Sequence, residues 1–487
     1  MKTSLQPGLL LLPALIAVSI AARGSEPPTP MAAPSTASSG VTLLHTSLDD
    51  DPALAALVDE ALSRRPEVSQ ARYRAAAERE RVPQTGALPD PMLTAGIQND
   101  GFRSIEVGRM ETSYYSFMLT QALPFPGKLG LRSDVAALTA EGATSEVKRA
   151  ELSTEAEVRS AYVGLLLTRG DLALLGRLEV LWKEAERAAK ARYEVGQGSQ
   201  ADLLRAQLER TRLRQQRWTL EASERTATQT LNRLRGRDLD ETIATTVALE
   251  DVAPPELPAT DTLLRDAEER SPELFAARLA ARRASKASDA ARRDLLPDFT
   301  VSAGVMPRGG LPPMWTLSLG VTLPVYAASK QLRAIDESNA RASADRAGEE
   351  SVRQVLALRT RQRSSVLEAT LESIALYRSG LLVQSEATVN SAVAQYQVGK
   401  VPFAAVLESI NGLLADRSSY LAAVAKALQL AIDQRALSLD APPGAEGGIG
   451  ASGMGGSGGG ASSSKTMSGG AGAASSEAPA EAARSGM

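Results

Sequence analysis

The chain has no cysteine and a single histidine, His45. The missing thiols rule out disulfides, thiolate metal sites, thiol catalysis and a lipidated N-terminal cysteine. One imidazole leaves no His-based triad and none of the usual zinc sites. Aromatic residues make up only 4% of the 487 residues, while Ala, Leu, Glu, Arg, Ser and Gln abound, which is the vocabulary of long helices with small-residue packing. A formal net charge of -3 gives no reason to expect nucleic acid or an anionic membrane surface as partner. Beyond the N-terminus no segment carries about 18 uninterrupted apolar residues, the length of a membrane-spanning helix. Carboxylates are plentiful, but they lie along helical stretches that face water, and no pair is set apart in a pocket as glycosidase-type chemistry needs. Met454, Met467 and Met487 are too irregularly spaced for a soft-metal site. No catalytic residue, cofactor site or metal site is therefore assigned.

The two ends differ from the middle. MKTSLQPGLLLLPALIAVSIAARGSEPP carries Lys2, an apolar stretch and small residues in a cleavage arrangement, so residues 1–22 are expected to be a secretory signal peptide; a buried N-terminal helix is the alternative. Residues 23–50 are expected to form a flexible linker that includes His45, and residues 438–487 a disordered Gly/Ser-rich tail, because such composition cannot bury enough apolar surface to offset ordering entropy. Export without a spanning helix leaves the periplasm, the outer membrane or the medium.

Between the ends the chain is a duplication. LVDEALSRRPEVSQAR (57–72) aligns with LLRDAEERSPELFAAR (263–278), placing Pro66 over Pro272, and ALPDPMLTAG (87–96) aligns with LLPDFTVSAG (295–304). QALPFPGK (121–128) aligns with VTLPVYAASK (321–330), and RYEVGQGSQADLL (192–204) with QYQVGKVPFAAVL (395–407). Four landmarks recur in one order, about 200 residues apart. The first repeat is set at 51–245 and the second at 246–437, each a helix, a strand pair and a long helical hairpin.

The strand pairs alternate. Tyr115, Phe117 and Leu119 fall on one face of the second strand, and Trp315, Leu317, Leu319 and Val321 on one face of the fourth; the alternation is weaker around Leu93–Ile97 and Phe299–Val305. Period-two patterning over about ten residues suits a strand with lipid on one side and water on the other; a soluble, half-buried sheet would alternate in the same way. Four strands cannot close a barrel, and an open edge in lipid leaves unpaired backbone groups, so a membrane reading requires several chains to share one barrel.

Pro124, Pro126 and Pro324 mark a switch from strand to helix. From Gly127 to Ala253 there is no proline, and the run reads as helix almost throughout, broken at Gly196 and Gly198. Its first arm alone would reach about 100 Å at 1.5 Å per residue. The return arms carry Ala206, Leu213, Leu220, Ala227 and Leu234, and Leu407, Leu414, Leu421 and Leu428, at strict sevens, a coiled-coil-like pattern. An isolated antiparallel coiled coil would show the same heptads. A hairpin of that length puts its glycine-containing bends, 193–201 and 396–404, at the end far from the strands.

Paired amphipathic strands followed by prolines, twin Tyr-x-Val-Gly tips and a two-fold internal repeat resemble the TolC-type outer-membrane efflux protein family over about residues 50–437, with LPFPGK (123–128) closest in look to its heavy-metal branch, the CusC and CzcC relatives. The resemblance implies a mainly α fold with membrane β: four transmembrane strands per protomer in a shared trimeric 12-strand β-barrel, continued by a long α-helical barrel. It implies a homotrimer in outer-membrane lipid that meets a periplasmic membrane-fusion adaptor and an inner-membrane transporter of the RND type, and acts as a passive exit duct. The family's Val-Gly-Leu tip maps onto Val195, Gly196 and Gln197 and onto Val398, Gly399 and Lys400. Both leucines are replaced by polar residues, and Arg192 joins these as an expected adaptor contact. The acidic gate positions map onto Asp202 and Glu408, with Ala405 and Val401 standing where the family has an acidic and a basic residue. Three Glu408 side chains around one axis would favour cations over anions. Tyr115, Phe117, Leu119, Trp315, Leu317, Leu319 and Val321 are the expected lipid-facing residues. A duct for type I protein secretion and a periplasmic coiled-coil scaffold or adaptor without a pore remain alternatives.

Overall fold

Proline, serine and aspartate set where the helices begin. The computed structural model describes residues 47–440, so the signal sequence, His45 and the Gly/Ser-rich residues beyond Asp440 lie outside the described residues. Each half starts with two helices where the sequence suggested one. In the first half α1 (Pro52–Arg64) is capped by the Asp51 carboxylate and α2 (Pro66–Gly86) begins at Pro66; in the second, α5 (Thr260–Arg270) is followed by α6 (Pro272–Arg293), capped by Ser271. The two prolines that the repeat alignment superposes both occupy the first helical position. There the missing N–H costs nothing, while an unbroken helix would lose a hydrogen bond.

Strands β1 (Met92–Gln98), β2 (Tyr114–Leu123), β3 (Asp298–Arg308) and β4 (Leu311–Thr322) form one antiparallel sheet in the order β1-β2-β3-β4. The central pairing, β2 with β3, joins the two halves of the chain. Among the described residues the outer edges of β1 and β4 carry no further strand.

From the sheet run the long helices. α3 (Lys128–Glu194) turns back into α4 (Gln200–Leu234); α7 (Gln331–Leu376) continues through a π-helical turn, Tyr377–Leu381, into α8 (Leu382–Gln397) and returns as α9 (Phe403–Arg435). α3 has 67 residues, about 100 Å of helix. The helical reading of 127–253 fails at its end: α4 stops at Leu234, and Gly236, at φ 66°, starts an irregular segment that reaches α5. Left-handed glycine ends helices in this way. No helix among the described residues is long and apolar enough to cross a membrane.

The core lies between the hairpins and along α1. Val158, Tyr162, Val163 and Leu166 of α3 pack with Leu421, Val424 and Leu428 of α9; farther along, Leu174, Leu178, Trp182 and Ala185 meet Phe403, Val406 and Ile410. The heptad residues fall on this side, but in α9 the buried residues also include Val406, Leu413 and Ala427, one position ahead of Leu407, Leu414 and Leu428, and Phe403, Ile410 and Val424, one turn before those leucines. α9 is covered by α3 on one flank and by α7 and α8 on the other, so its apolar arc is wider than a single seam.

The last residues of the stretch expected as a linker are packed. Ser47 caps a short 3-10 turn, Leu48 is buried, and the Asp49 carboxylate accepts two 2.5 Å hydrogen bonds from Arg435 and one of 2.7 Å from Arg159. Next to it, buried Asp51 accepts from Tyr162 and Thr246, both at 2.5 Å, and burial together with that carboxylate pushes the Tyr162 phenol far up. The Arg435 hydrogen bonds, outweighing partial burial, hold the Asp49 carboxyl below its usual 3.8. A depressed carboxyl stabilises the fold above its unfolded value, and that contribution disappears as pH falls through the folded one. Asp49→Asn is therefore expected to melt at a lower temperature than the parent at neutral pH. The gap should narrow and then close as the pH is taken down through and below the ordinary carboxylate range, measured by thermal melts across a pH series.

Candidate functional site

Two regions carry functional geometry, the sheet at one end of the long helices and the tips at the other. Register decides the sheet. Ala95 of β1, Phe117 of β2, Val305 of β3 and Trp315 of β4 stand in one row across the four strands, and Leu93, Leu119, Ala303 and Leu317 in the next. Val301 pairs with Leu319, Phe299 with Val321, and Ile97 with Tyr115. All seven expected lipid-facing residues therefore share one face, exposed by between 38% (Tyr115) and 78% (Trp315). The opposite face holds Thr94, Gly96, Ser116, Thr120, Ser302, Gly304, Thr316, Ser318 and Gly320 in the matching rows, with Thr120 and Ser302 hydrogen-bonded at 3.0 Å. One face is apolar apart from Gln121, which stands in the row of Val301 and Leu319, and the other is mainly small and polar, with Met118 in the row of Thr94, Gly304 and Thr316.

At the far end both tips close in the same way. Gly196 (φ 72°) and Gly399 (φ 79°) take the left-handed conformation that glycine alone adopts cheaply. Gln197 N–H bonds Arg192 O at 2.8 Å, and Lys400 N–H bonds Gln395 O at 2.9 Å, so each helix ends with its orphan carbonyls satisfied. Ser199 caps α4 through the Asp202 N–H at 3.2 Å, and Pro402 precedes the first residue of α9. Val195, Gln197, Val398, Gly399 and Lys400 are exposed around the bends.

The two tips are not equivalent. Tyr193 of the first is exposed at 45%, whereas its counterpart Tyr396 is buried at 2% and packs edge-on against Phe403, ring centroids 5.2 Å apart. Arg192 crosses from the first tip to the second. Its guanidinium lies 4.8 Å from the centre of the Tyr396 ring, donates to Tyr396 O, and donates back to Gln197 O at 3.0 Å. Asp202 completes the cluster by accepting the Tyr396 hydroxyl at 3.3 Å. Burial first, and the Asp202 carboxylate second, push the Tyr396 phenol up to about 12.

Arg192 and Asp202 are thus brought together, around a residue that sequence reasoning had not singled out. Expected at the surface as an adaptor contact, Arg192 is half-buried and bonded within its own chain. Glu408 stands apart, exposed in the second turn of α9, and among the described residues no hydrogen bond or ion pair joins it to the cluster. Tyr396 was visible as the tyrosine of the repeated Tyr-x-Val-Gly phrase, but nothing in the phrase distinguishes it from Tyr193.

The tip glycines give a local test. A Cβ on Gly196 meets nothing within 4 Å, while one on Gly399 comes within 3.2 Å of Arg192 Nη2. Gly196→Ala and Gly399→Ala should each cost about 1–2 kcal/mol in backbone strain. Only the second should also displace Arg192 and speed amide hydrogen exchange at Tyr396.

The family model described as outer membrane efflux protein matches the chain twice, over residues 57–237 and 263–438. The chain belongs to the outer membrane efflux protein family. Its proteins are efflux channels, not enzymes. The fold of this family member is shared with solved channels: the outer-membrane channel OprN (18% identity, 80% of this chain and 90% of the other, TM-score 0.68); CusC, described in terms of transmembrane channel formation (17%, 80% and 92%, 0.68); and the open state of the Neisseria gonorrhoeae MtrE outer membrane channel (21%, 80% and 89%, 0.65). No curated protein matches the sequence. Each matched segment begins inside the first helix of its half and runs through the second helix, the strand pair and the long hairpin.

Proposed function

We propose that three copies of this chain close one 12-strand barrel in outer-membrane lipid, continued by a helical tunnel into the periplasm. Through it small substrates, heavy-metal cations or drugs among them, leave the cell passively. The observation that carries this reading is the sheet, with one apolar exposed face, one mainly small and polar face, and two edges that no strand among the described residues pairs. In lipid each unpaired edge group costs several kcal/mol, and only closure against other copies removes that cost. Three sets of four strands leave a lumen, which two sets would fill with side chains.

Energy comes from an inner-membrane transporter of the RND type, coupled through a periplasmic membrane-fusion adaptor. The exposed ring of Val195, Gln197, Val398 and Lys400 is the adaptor's contact, and binding there shifts the tips towards an open state by favouring it over the closed one. Glu408 is the acidic residue left for the constriction, since Asp202 is engaged by Tyr396, and three of them favour cations. Cargo that stays hydrated needs no dedicated ligands.

Native mass spectrometry of protein extracted in mild detergent from outer membranes tests the reading. A three-chain assembly is expected. A soluble monomer or dimer from the periplasm overturns it.

A further inference from the structure

The internal repeat shows what the fold alone requires at a position, and one place in the second half departs from it. The hairpins run in step, Gln331 answering Lys128 and Phe403 answering Gln200, so Arg363 of α7 answers Ser160 of α3, and Gln434 of α9 answers Leu231 of α4. The first half builds the same helices with a hydroxyl and with a leucine buried at 1%. The second half places there a guanidinium, buried at 2%, and a half-buried amide. An ion taken out of water costs several kcal/mol unless it is well paired.

That pairing is incomplete. Among the described residues Arg363 donates through Nη2 alone, to Ser438 O and to Asp440 O, the latter at 2.9 Å, while Nε and Nη1 are buried without an acceptor and Gln434 Oε1 without a donor. Asp433 and Asp440 act on the guanidinium through space, yet burial outweighs them and pulls Arg363 below the ordinary arginine value. Both unsatisfied side chains line a cavity of about 480 Å³, bounded on one side by the proline-rich residues 253–258. Its wall is otherwise largely apolar, with Leu257, Leu263, Leu367, Leu428 and Ile432. The other two arginines in the wall, Arg159 and Arg435, are both held by Asp49, and the remaining carboxylate, Glu256, is exposed. Arg363 is the cation that this set leaves without an anion.

We propose that this cavity is a binding site for a small amphipathic carboxylate, whose acid group meets Arg363 and Gln434 and whose apolar body lies along the leucines. Apolar walls with a few convergent polar groups, around a volume of a few hundred Å³, are how proteins hold small molecules. A carboxylate supplies the acceptors that the buried guanidinium lacks, in charge-assisted bonds about twice as strong as neutral ones. A half-turn of the Gln434 amide presents an N–H to the same group. A neutral molecule of the same shape would leave the charge of Arg363 uncompensated, and a cation would add a second one. The site lies within one chain, between α7, α9 and the segment that joins the two halves, so it depends neither on the number of copies nor on the tips. A bound ligand ties that joining segment to both helices.

Calorimetric titration of the full chain in mild detergent tests the site, with 1-naphthoate as the probe and 1-naphthamide and 1-naphthylmethylammonium as its neutral and cationic counterparts. One naphthoate per chain is expected, bound at least about ten-fold more tightly than either counterpart. Arg363→Gln should remove that preference. Ala431→Phe keeps Arg363 and fills part of the cavity, and should weaken naphthoate at least about ten-fold. Because loss of Arg363 also strips Ser438 O and Asp440 O of their donor, each variant is first melted without ligand, and Ala431→Phe carries the test if Arg363→Gln does not fold. Naphthoate should raise the melting temperature of the parent but not of Arg363→Gln, and slow amide exchange across 253–263. No saturable binding by about 1 mM, the result for a cavity that holds water alone, overturns the proposal. So does naphthoate binding no tighter than naphthamide, or binding that either folded variant leaves unchanged.

Discussion

Leu317→Arg combined with Leu319→Arg is expected to abolish assembly in the outer membrane. Both side chains lie on the apolar face of β4, 67% and 69% exposed, in rows with Ala303 and Val301 of β3. A guanidinium on the lipid face near the bilayer midplane costs about 2–4 kcal/mol, and a barrel of three copies would carry six of them. Backbone pairing offers no relief, because the register that points Leu317 outward also points every second residue of β4 outward. Ser318→Arg is the matched control. Ser318 pairs with Ser302 on the polar face, where a charge would meet water and alter ion selectivity, not insertion. Membrane fractionation followed by native mass spectrometry reads the result. Normal three-chain assembly of the double variant would mean that this face meets no lipid.

The second large effect is expected at the tip. Tyr396→Ala removes a ring buried at 2% between Phe403 and the Arg192 guanidinium, and truncating a buried aromatic costs about 3–5 kcal/mol. It also leaves Asp202 without its phenol donor and Arg192 without its ring. Amide exchange across 193–205 and 394–406 should therefore speed up by about a hundred- to several-thousand-fold, at 1.4 kcal/mol per factor of ten. Tyr193→Ala, at the equivalent but exposed position, should change it by no more than a few-fold. Equal effects at the two tyrosines would mean that the clamp does not hold the tips. Tyr396→Phe separates the contributions, since it keeps the packing and loses only the hydroxyl bond to Asp202, a charge-assisted bond worth about 1.5–3 kcal/mol.

The long hairpins were legible because their information is local. Prolines at 124, 126 and 324 end the strands, glycines at 196 and 399 turn the helices, and heptads mark the inner side of the return arms. Where local signals compete, the sequence misled. The expected helix continuing past Leu234 ran through a stretch with no proline to stop it, and Gly236 ended it instead. The first helix of each half was read as one because Pro66 and Pro272 looked like landmarks of the repeat, and they turned out to be first positions of second helices. Part of the stretch expected as linker is held by Asp49, whose partner Arg435 lies 386 residues away, a separation that no window of sequence spans.

By itself the sequence determined the duplication of landmarks, the alternating strands, the places where the chain reverses and the absence of thiol and imidazole chemistry. These follow from side-chain period, backbone restriction and composition, properties a residue carries wherever it sits. Only the tertiary structure decided the rest. Hydrogen-bond register between β2 and β3 placed the apolar residues of both halves on one face, because a shift of one residue would have turned each strand over. Packing between the hairpins chose Tyr396 over Tyr193 for burial and drew Arg192 inward, since two copies of one phrase can differ in fate only through what each of them touches.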